Sequence, residues 1–310
     1  MTSILGFGHY VPEGKITNEM LEEEFGLEPG WIVSMSGIKE RRAAAPEETV
    51  DVLAHRAALD CLDRAGLQPS DLGGIIVGTG TPSRQFPGVS AGLQRKLGAQ
   101  NIPAFDIHLA SVGGLFALAA AVDLCPRYGP ILAVGAERMT EIMAREPRAK
   151  ETAILFGDGA GACVVSPGEG SLEVVDIRVQ SDATFAEALH MDFGGTLHME
   201  GRTVILQANR KLQAAVSSLL EKHRLTAADV DLFIFHQANL NLLRQVGRAL
   251  QIPEEKVFVN LDRYGNTSAA SLFIAASEAQ EAGRIVPGAT VVMAAFGAGM
   301  SWGAALLKRK

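Results

Sequence analysis

Two kinds of segment alternate along the chain. Short apolar runs of strand length, such as "GGIIVG", "ILAVGA" and "DLFIF", are separated by longer segments with the hydrophobic period of a helix. Strands this continuously apolar are covered on both faces, as in a mixed sheet sandwiched by helices. The pattern therefore predicts an α/β protein with helices packed on both sides of its strands.

Two segments of the chain read alike. "ALDCLDRAGLQPSDLGGIIVGTG" and "AVSSLLEKHRLTAADVDLFIFHQAN" each contain an amphipathic helix, a Leu-x-x-x-Asp turn and a buried strand. Asp71 and Asp229 match with an offset of 158 residues (229 − 71), and "ILAVGAE" matches "VVMAAFG" with an offset of 160. We therefore predict two similar halves, 1–166 and 167–310, related by duplication and packed as one five-layered α-β-α-β-α unit.

The stretch "AFDIHLASVGGLFALAAAV" places a hydroxyl at a strand-to-helix junction. A strand over 104–109 breaks at Ala110 and Ser111, and an Ala/Leu-rich buried helix follows. By position alone, Ser111 is an N-cap, a small residue at a tight contact, or a nucleophile. The third reading has weight because chemistry in α/β sheets collects outside the carboxyl ends of strands.

Two further polar side chains follow apolar segments in the second half. His236 ends the strand "DLFIF", and Asn266 lies in "LDRYGNTSAAS", before another Ala-rich helix. Taken singly, such a His is a hydrogen-bonded structural residue and an Asn beside Gly is a turn residue. Like Ser111, each is a candidate by position, and none of the three carries a functional claim alone.

Charge and cysteine content exclude several classes of function. The net charge of −7, without a block of Lys or Arg, argues against nucleic acid as a partner. Cys61, Cys125 and Cys163 are too widely spaced for a zinc motif or a disulfide framework. We expect three buried thiols in a reducing cytoplasm and no metal site.

One segment has the length of a membrane span. Residues 286–307, "VPGATVVMAAFGAGMSWGAALL", contain 22 residues without a charge. Pro287 and the four glycines instead favour two buried strands around a Gly-rich turn. The N-terminus also has no basic region or cleavage site of a signal peptide. We therefore predict a cytoplasmic protein without a membrane partner.

Five blocks of sequence carry a family resemblance. They are "WIVSMSGIKERRAAAPEET", "FGDGAGACVV", "HQANL", "LDRYGNTSAAS" and "AFGAGMSWGAALL". Through them the chain resembles, nearly end to end, the β-ketoacyl-ACP synthase III enzymes of the thiolase superfamily. The resemblance implies a thiolase-like fold and catalytic roles for Ser111, His236 and Asn266. It implies that a short acyl group passes from acyl-CoA to Ser111 and condenses with malonyl-ACP, which starts a fatty-acid or polyketide chain.

The same resemblance implies the remaining site residues. The oxyanion hole would be formed by the backbone N–H groups of Ser111 and Ala298, and the partners would be acyl-CoA, an acyl carrier protein and a second copy of the chain. Acyl-CoA would serve as substrate, with no cofactor. Phe86 would reach across the homodimer interface into the acyl pocket of the partner. The residues implied for binding are Trp31 and Lys150 for CoA, and Phe86, Ile205, Phe296 and Met300 for the acyl pocket.

The sequence departs from the family at the nucleophile, where Ser111 replaces Cys. A hydroxyl is hardly ionised at neutral pH, so Ser111 would need His236 as a base. An acyl oxoester is also a poorer electrophile than a thioester. Two alternatives to condensation therefore stay open. One is a starter-unit acyltransferase that passes the acyl group to a carrier protein or to an O or N acceptor, and the other is a non-catalytic partner subunit.

Two explanations account for the serine itself. It is either native or a deliberate Cys-to-Ser replacement, and the unusual Val112-Gly113-Gly114 that follows favours a native residue.

Other departures from the family concern recognition of the substrates. Met35 replaces an Arg expected to hold CoA phosphates, and Asn241 replaces an Arg expected to dock the carrier protein.

Overall fold

The computed structural model describes residues 1–143, 150–168, 170–192 and 194–310. The strands are β1 Thr2–Tyr10, β2 Gly14–Thr17, β3 Glu40–Ala43, β4 Gly74–Gly78, β5 Ala104–Ile107, β6 Ile131–Arg138, β7 Asp158–Pro167, β8 Leu172–Ser181, β9 Leu189–His190, β10 His198–Met199, β11 Leu232–Phe235, β12 Thr290–Gly297 and β13 Ser301–Arg309. The strand predicted over 104–109 ends at Ile107, since the N–H of Leu109 turns back to the Ile107 carbonyl at 2.9 Å.

The helices differ widely in length. They are α1 Asn18–Phe25, α2 Trp31–Ser36, α3 Val50–Ala65, α4 Val89–Leu97, α5 Gly113–Tyr128, α6 Met139–Ile142, α7 Lys150–Ala153, α8 Gly201–Lys222, α9 Leu240–Ala249, α10 Leu261–Tyr264 and α11 Ser271–Glu281. Short 3₁₀ turns cover Pro69–Asp71, Ala183–Ala188, Ala227–Asp229, Glu254–Lys256 and Ser268–Ala270.

A mixed sheet forms the frame of the molecule. In the part of the chain that the structure describes, nine strands run in the order β11-β12-β13-β8-β1-β7-β6-β4-β5. The two halves of this sheet meet between β1 and β8, which pair through only Ser3 with Glu173 and Ile4 with Leu172. On each side of this joint the strands follow one plan, in which β4, β6, β7 and β1 correspond to β11, β12, β13 and β8.

Strand directions agree between the two half-sheets. β4 is parallel to β6, as β11 is to β12, and the next two pairs are antiparallel in both halves. The two segments that read alike therefore take the same structure. Even their turns match, because Asp71 accepts the Gln68 N–H and Asp229 accepts the Thr226 N–H, each at 2.8 Å. The predicted boundary between 1–166 and 167–310 falls at the end of β7 and stays a prediction.

The helices complete five layers. Helices α3 and α4 pack on the outer face of the first half-sheet, and α8 and α9 on the outer face of the second. Helices α5 and α11 share one hydrophobic core with strands of both half-sheets, so they form the middle layer. The predicted α/β fold with five layers is confirmed.

The segment over 286–307 resolves as strands. It forms most of β12 and β13, which pair with each other from Thr290 with Lys308 to Gly297 with Ser301. Among the residues described, none of the helices is both long and apolar enough to cross a bilayer. The three cysteines are buried and unpaired, as expected.

Close packing of β1 against α3 predicts the effect of one methyl group. A Cβ on Gly8 would lie 2.2 Å from the backbone nitrogen of Cys61. We expect Gly8→Ala to lower the free energy of unfolding by about 1–3 kcal/mol, because the backbone has to move apart. Urea unfolding measures this. Gly201→Ala is the matched control, since a Cβ there meets nothing within 4 Å. Equal stability of the two variants would contradict the close contact between β1 and α3.

Candidate active site

One cavity brings the three candidate catalytic residues together. It has a volume of about 420 Å³, and Ser111, His236 and Asn266 all line it. Ser111 comes from the first half of the chain and the other two come from the second. The wall is mostly apolar and includes the predicted residues Ile205 and Phe296. A mostly apolar cavity with a few converging polar groups is typical of a small-molecule site.

Ser111 lies on a sharp turn between β5 and α5. Its φ of 62° is in the left-handed region, which is unfavourable for residues other than glycine. Helix α5 begins at Gly113, and Val112 holds the N-cap position, so the N-cap interpretation of Ser111 is wrong. The side chain instead lines the cavity in front of a 16-residue helix, whose unpaired N–H groups favour negative charge.

Glycines allow this turn to be packed closely. A Cβ on Gly297 would lie 2.4 Å from the carbonyl oxygen of Ala110 and 2.9 Å from Cβ of Ser111. A Cβ on Gly80 would lie 2.8 Å from Cβ of Ala110. The ends of β4 and β12 therefore press on the turn from both half-sheets. Ala298, which follows Gly297, also lines the cavity.

The backbone N–H of Ser111 already has an acceptor. It donates to Oγ of Ser268 at 2.8 Å. The Ser268 hydroxyl in turn donates to Oε1 of Glu137 at 2.9 Å. An oxyanion at Ser111 would therefore have to share this N–H with Ser268, and the oxyanion-hole roles of Ser111 and Ala298 stay predictions.

His236 is held neutral. Burial lowers the pKa of His236 to about 4, since a buried imidazolium would lose its hydration. Its Nδ1 lies 2.6 Å from Oγ of Ser271, which also accepts the Gln237 N–H at 3.2 Å. When the Ser271 hydroxyl donates to Nδ1, the ring proton lies on Nε2 and His236 is a donor to the cavity. In the other tautomer Nδ1 donates to Ser271, and Nε2 is free to act as a base for Ser111.

Asn266 is oriented by its own chain. Its side-chain oxygen accepts the N–H of Ser268 at 2.9 Å, and its backbone is bonded to Leu155 and Gly157. Because the oxygen is engaged, the amide NH₂ remains as the donor group of a side chain that lines the cavity. His236 and Asn266 therefore offer two neutral donors to the same space.

The two remaining acyl-pocket predictions concern Met300 and Phe86. Met300 is 1% exposed and packs in the same core cluster as Phe296, and its backbone pairs with Asp182. Its role in the acyl pocket stays a prediction. Phe86 is 82% exposed on the surface, outside the cavity of its own chain.

The residues predicted for CoA lie side by side. Nζ of Lys150 is 5.8 Å from the centroid of the Trp31 ring, within the range of a cation–π contact. Asn241, at the start of α9, donates to the carbonyls of Ser34 and Met35 at 3.1 and 3.0 Å. The uncharged Asn241 side chain therefore links α9 to α2. The CoA-binding roles of Trp31 and Lys150 stay predictions.

Sequence reasoning missed several residues of the site. Glu137, Ser268 and Ser271 hold the three candidate catalytic residues, and His108 and the β9–β10 hairpin contribute to the wall. A signal for Glu137 was present, because it puts a charge at the end of the buried strand "ILAVGAE". Ser268 and Ser271 lie inside "GNTSAAS", but nothing in that motif indicates which residues they bond to.

A second cluster of titratable groups lies away from this cavity. His9, Asp60 and Glu281 have their polar atoms within 4.8 Å of one another. Arg64 forms ion pairs with both carboxylates of the cluster. A guanidinium in that place makes the cluster an ion-pair network.

A duplicated five-layered fold, with Ser111 at a helix start sharing one cavity with a neutral His236 and Asn266, is the architecture of the thiolase-fold class. Residues 105–183 match the family model for 3-oxoacyl-[acyl-carrier-protein (ACP)] synthase III, and residues 220–309 match the model for its C-terminal part. The β-ketoacyl-[acyl-carrier-protein] synthase III of Aquifex aeolicus is 40% identical over 99% of both chains. The chain belongs to the β-ketoacyl-[acyl-carrier-protein] synthase III family.

Solved structures agree with this assignment. The crystal structure of 3-oxoacyl-[acyl-carrier-protein] synthase III from Aquifex aeolicus superimposes with a TM-score of 0.95 at 39% identity, covering 99% of this chain and 100% of that one. The priming β-ketosynthase of the R1128 polyketide pathway superimposes with a TM-score of 0.92 at 31% identity, covering 100% and 97%. The similarity to the family predicted from the sequence is confirmed.

The neutral state of His236 predicts a pH dependence of stability. The folded-state pKa of about 4 lies below the unfolded value of about 6.5. The unfolded chain therefore binds a proton that the folded site excludes. Stability from this group is complete above about pH 6.5 and falls, by at most about 3 kcal/mol, as the pH decreases to about 4. Urea unfolding across this range should show a steeper loss for the unmodified chain than for His236→Gln. The same change of unfolding free energy with pH in both proteins would contradict this prediction.

Proposed function

We propose that this protein takes a short acyl group from acyl-CoA onto Ser111 and condenses it with malonyl-ACP. The observation that carries the proposal is the cavity in which Ser111, at the start of α5, meets the neutral donors His236 and Asn266. The names of the relatives support the same reaction, since they are β-ketoacyl-[acyl-carrier-protein] synthases III. The product would start a fatty-acid or polyketide chain.

The first half-reaction is acyl transfer to the hydroxyl. The Ser111 oxygen forms a bond to the thioester carbonyl carbon while the C–S bond of acyl-CoA breaks. The proton lost by Ser111 leaves with the CoA thiol, so the step is balanced. Positive potential at the α5 N-terminus favours the charge that develops on the attacking oxygen.

The second half-reaction needs stabilisation of an enolate. Loss of CO₂ from the malonyl thioester leaves negative charge on the thioester oxygen, and Nε2–H of His236 and the Asn266 amide would donate to it. Neutral donors suit this task, because they stabilise the transient charge without holding the malonyl carboxylate as a salt bridge. The enolate carbon then attacks the acyl-serine carbonyl, the new C–C bond forms, the Ser111 ester bond breaks, and the released Ser111 oxygen takes a proton from water.

Recognition of the substrates is proposed on the same basis. Trp31 would stack on the adenine of CoA, with Lys150 as a point charge for its phosphates. An acyl carrier protein would deliver the malonyl group at the mouth of the cavity. Phe86 would complete the acyl pocket of a second copy of the chain, and its 82% exposure agrees with a residue that is covered only in a homodimer. No cofactor is required by either half-reaction.

One observation favours a second candidate function. The nucleophile is a hydroxyl, and its acyl oxoester is a weaker electrophile toward a carbanion than an acyl thioester. The protein would then move a starter acyl group from CoA to a carrier protein, or to an O or N acceptor, without condensation. Formation of acyl-ACP, ester or amide in the absence of malonyl-ACP separates this function from the first.

Incubation with a panel of acyl-CoAs tests the nucleophile. We expect the intact mass to increase by one acyl group and the increase to disappear in Ser111→Ala, because the neighbouring hydroxyl of Ser268 is already bonded to Glu137 and to the Ser111 N–H. Ser111→Cys is the informative control. If only the Cys variant is acylated, the serine is a replaced cysteine. If neither is acylated, the chain is a non-catalytic partner subunit and the proposal is wrong.

The donor pair should matter for only one half-reaction. We expect His236→Ala and Asn266→Ala to keep acyl transfer to Ser111 but to reduce CO₂ release from malonyl-ACP by about a hundredfold or more, since each removes a donor to the enolate. Radiolabelled malonyl-ACP measures the second step, and the acyl adduct measures the first. Equal losses in both steps would point to a general disturbance of the cavity.

A further inference from the structure

Glu137 is a buried carboxylate that the proposed reaction does not use. It is 0% exposed and lies at the end of β6. Five groups donate to it, and burial raises its pKa while these hydrogen bonds oppose the shift. The donors are the hydroxyls of Thr79, Thr81 and Ser268 and the backbone N–H groups of Gly80 and Ala269.

These donors come from the two halves of the chain. Thr79, Gly80 and Thr81 follow β4, whereas Ser268 and Ala269 lie in the 3₁₀ turn before α11. Glu137 therefore fixes the end of a strand in the first half to the start of a central helix in the second. A carboxylate with this many donors has little freedom to rotate or to move.

Ser268 extends this network to the nucleophile. Its hydroxyl donates to Glu137, and the same oxygen accepts the N–H of Ser111 at 2.8 Å. The two serines are 157 residues apart, close to the offset of the internal repeat, and each precedes a buried central helix. Ser111 and Ser268 are thus corresponding residues of the two halves that meet across the middle layer.

Both serines have an unfavourable backbone conformation. Their φ values are 62° and 49°, in the left-handed region. A non-glycine residue stays in such a conformation only where its surroundings hold it. For Ser111 the holding contact is its N–H bond to Ser268, and for Ser268 it is the pair of bonds to Glu137 and Asn266.

We propose that Glu137 and Ser268 are positioning residues that keep the Ser111 hydroxyl in front of α5. Glu137 holds the Ser268 hydroxyl, and Ser268 holds the Ser111 N–H. The inference rests on the proposed function of Ser111 as the acyl acceptor. Glu137 is buried behind the cavity, and Ser268 acts through its contact with the Ser111 N–H. Without this contact the turn relaxes, and the nucleophile moves away from the positive end of the helix.

Acylation kinetics test the proposal. We expect Ser268→Ala and Glu137→Gln each to slow acylation of Ser111 at saturating acyl-CoA by about tenfold to a hundredfold, with little change in half-saturating concentration, because a small misplacement has this effect. The double variant should be no slower than the slower single variant, since both act through one contact. Multiplying effects would overturn the proposal. Ser277→Ala is the control, because Ser277 is a buried serine bonded to His9 instead.

A second measurement does not depend on acyl-CoA. In a Ser111→Cys background, the rate of alkylation by iodoacetamide at neutral pH reports how well the helix start stabilises the thiolate. We expect adding Ser268→Ala or Glu137→Gln to slow alkylation about tenfold, and adding Ser277→Ala to leave it unchanged. Equal alkylation rates in all backgrounds would overturn the positioning role. Failure of the proposed function is distinguishable, since it appears as absence of any acyl adduct in the unmodified chain.

Discussion

The site depends on how closely two buried helices approach the strands on either side of them. Helices α5 and α11 can share the middle layer only because glycines on the strands leave room for backbone contact. A Cβ on Gly135 would lie 2.1 Å from the carbonyl of Ala269, and one on Gly161 would lie 2.7 Å from the nitrogen of Ile274. The same constraint brings the beginnings of both helices to one place. Ser111 and Ser268 come into contact because the middle layer lies so close to the strands on either side of it.

Charge at this meeting point is controlled by burial and by hydrogen bonds. Glu137 is surrounded by five donors, so its carboxylate is satisfied away from the cavity. His236 is kept neutral by the burial that lowers its pKa to about 4. What the cavity presents is therefore a set of dipoles: the start of α5, the imidazole N–H and the Asn266 amide. Such dipoles stabilise negative charge that develops during a reaction more than charge that the free substrate already carries.

Local sequence signals predicted the fold well, because its repeating unit is built from local chemistry. The turns at Asp71 and Asp229 are closed by hydrogen bonds over three residues, and the offset between them exposed the duplication. The group of Ser111, His236 and Asn266 came from family resemblance. The bond from Ser268 to Glu137 spans 131 residues, and no pattern in either segment specifies it.

The serine at 111 changes what the surrounding structure must supply. A cysteine would bring a thiolate that a helix start can stabilise before any substrate arrives. A hydroxyl brings no charge, and burial keeps His236 neutral with its Nδ1 bonded to Ser271. Activation of Ser111 therefore depends on the helix start and on close placement of the oxygen during the transfer itself. Placement is what the contact between Ser111 and Ser268 provides, so a serine nucleophile depends on that contact more than a cysteine would.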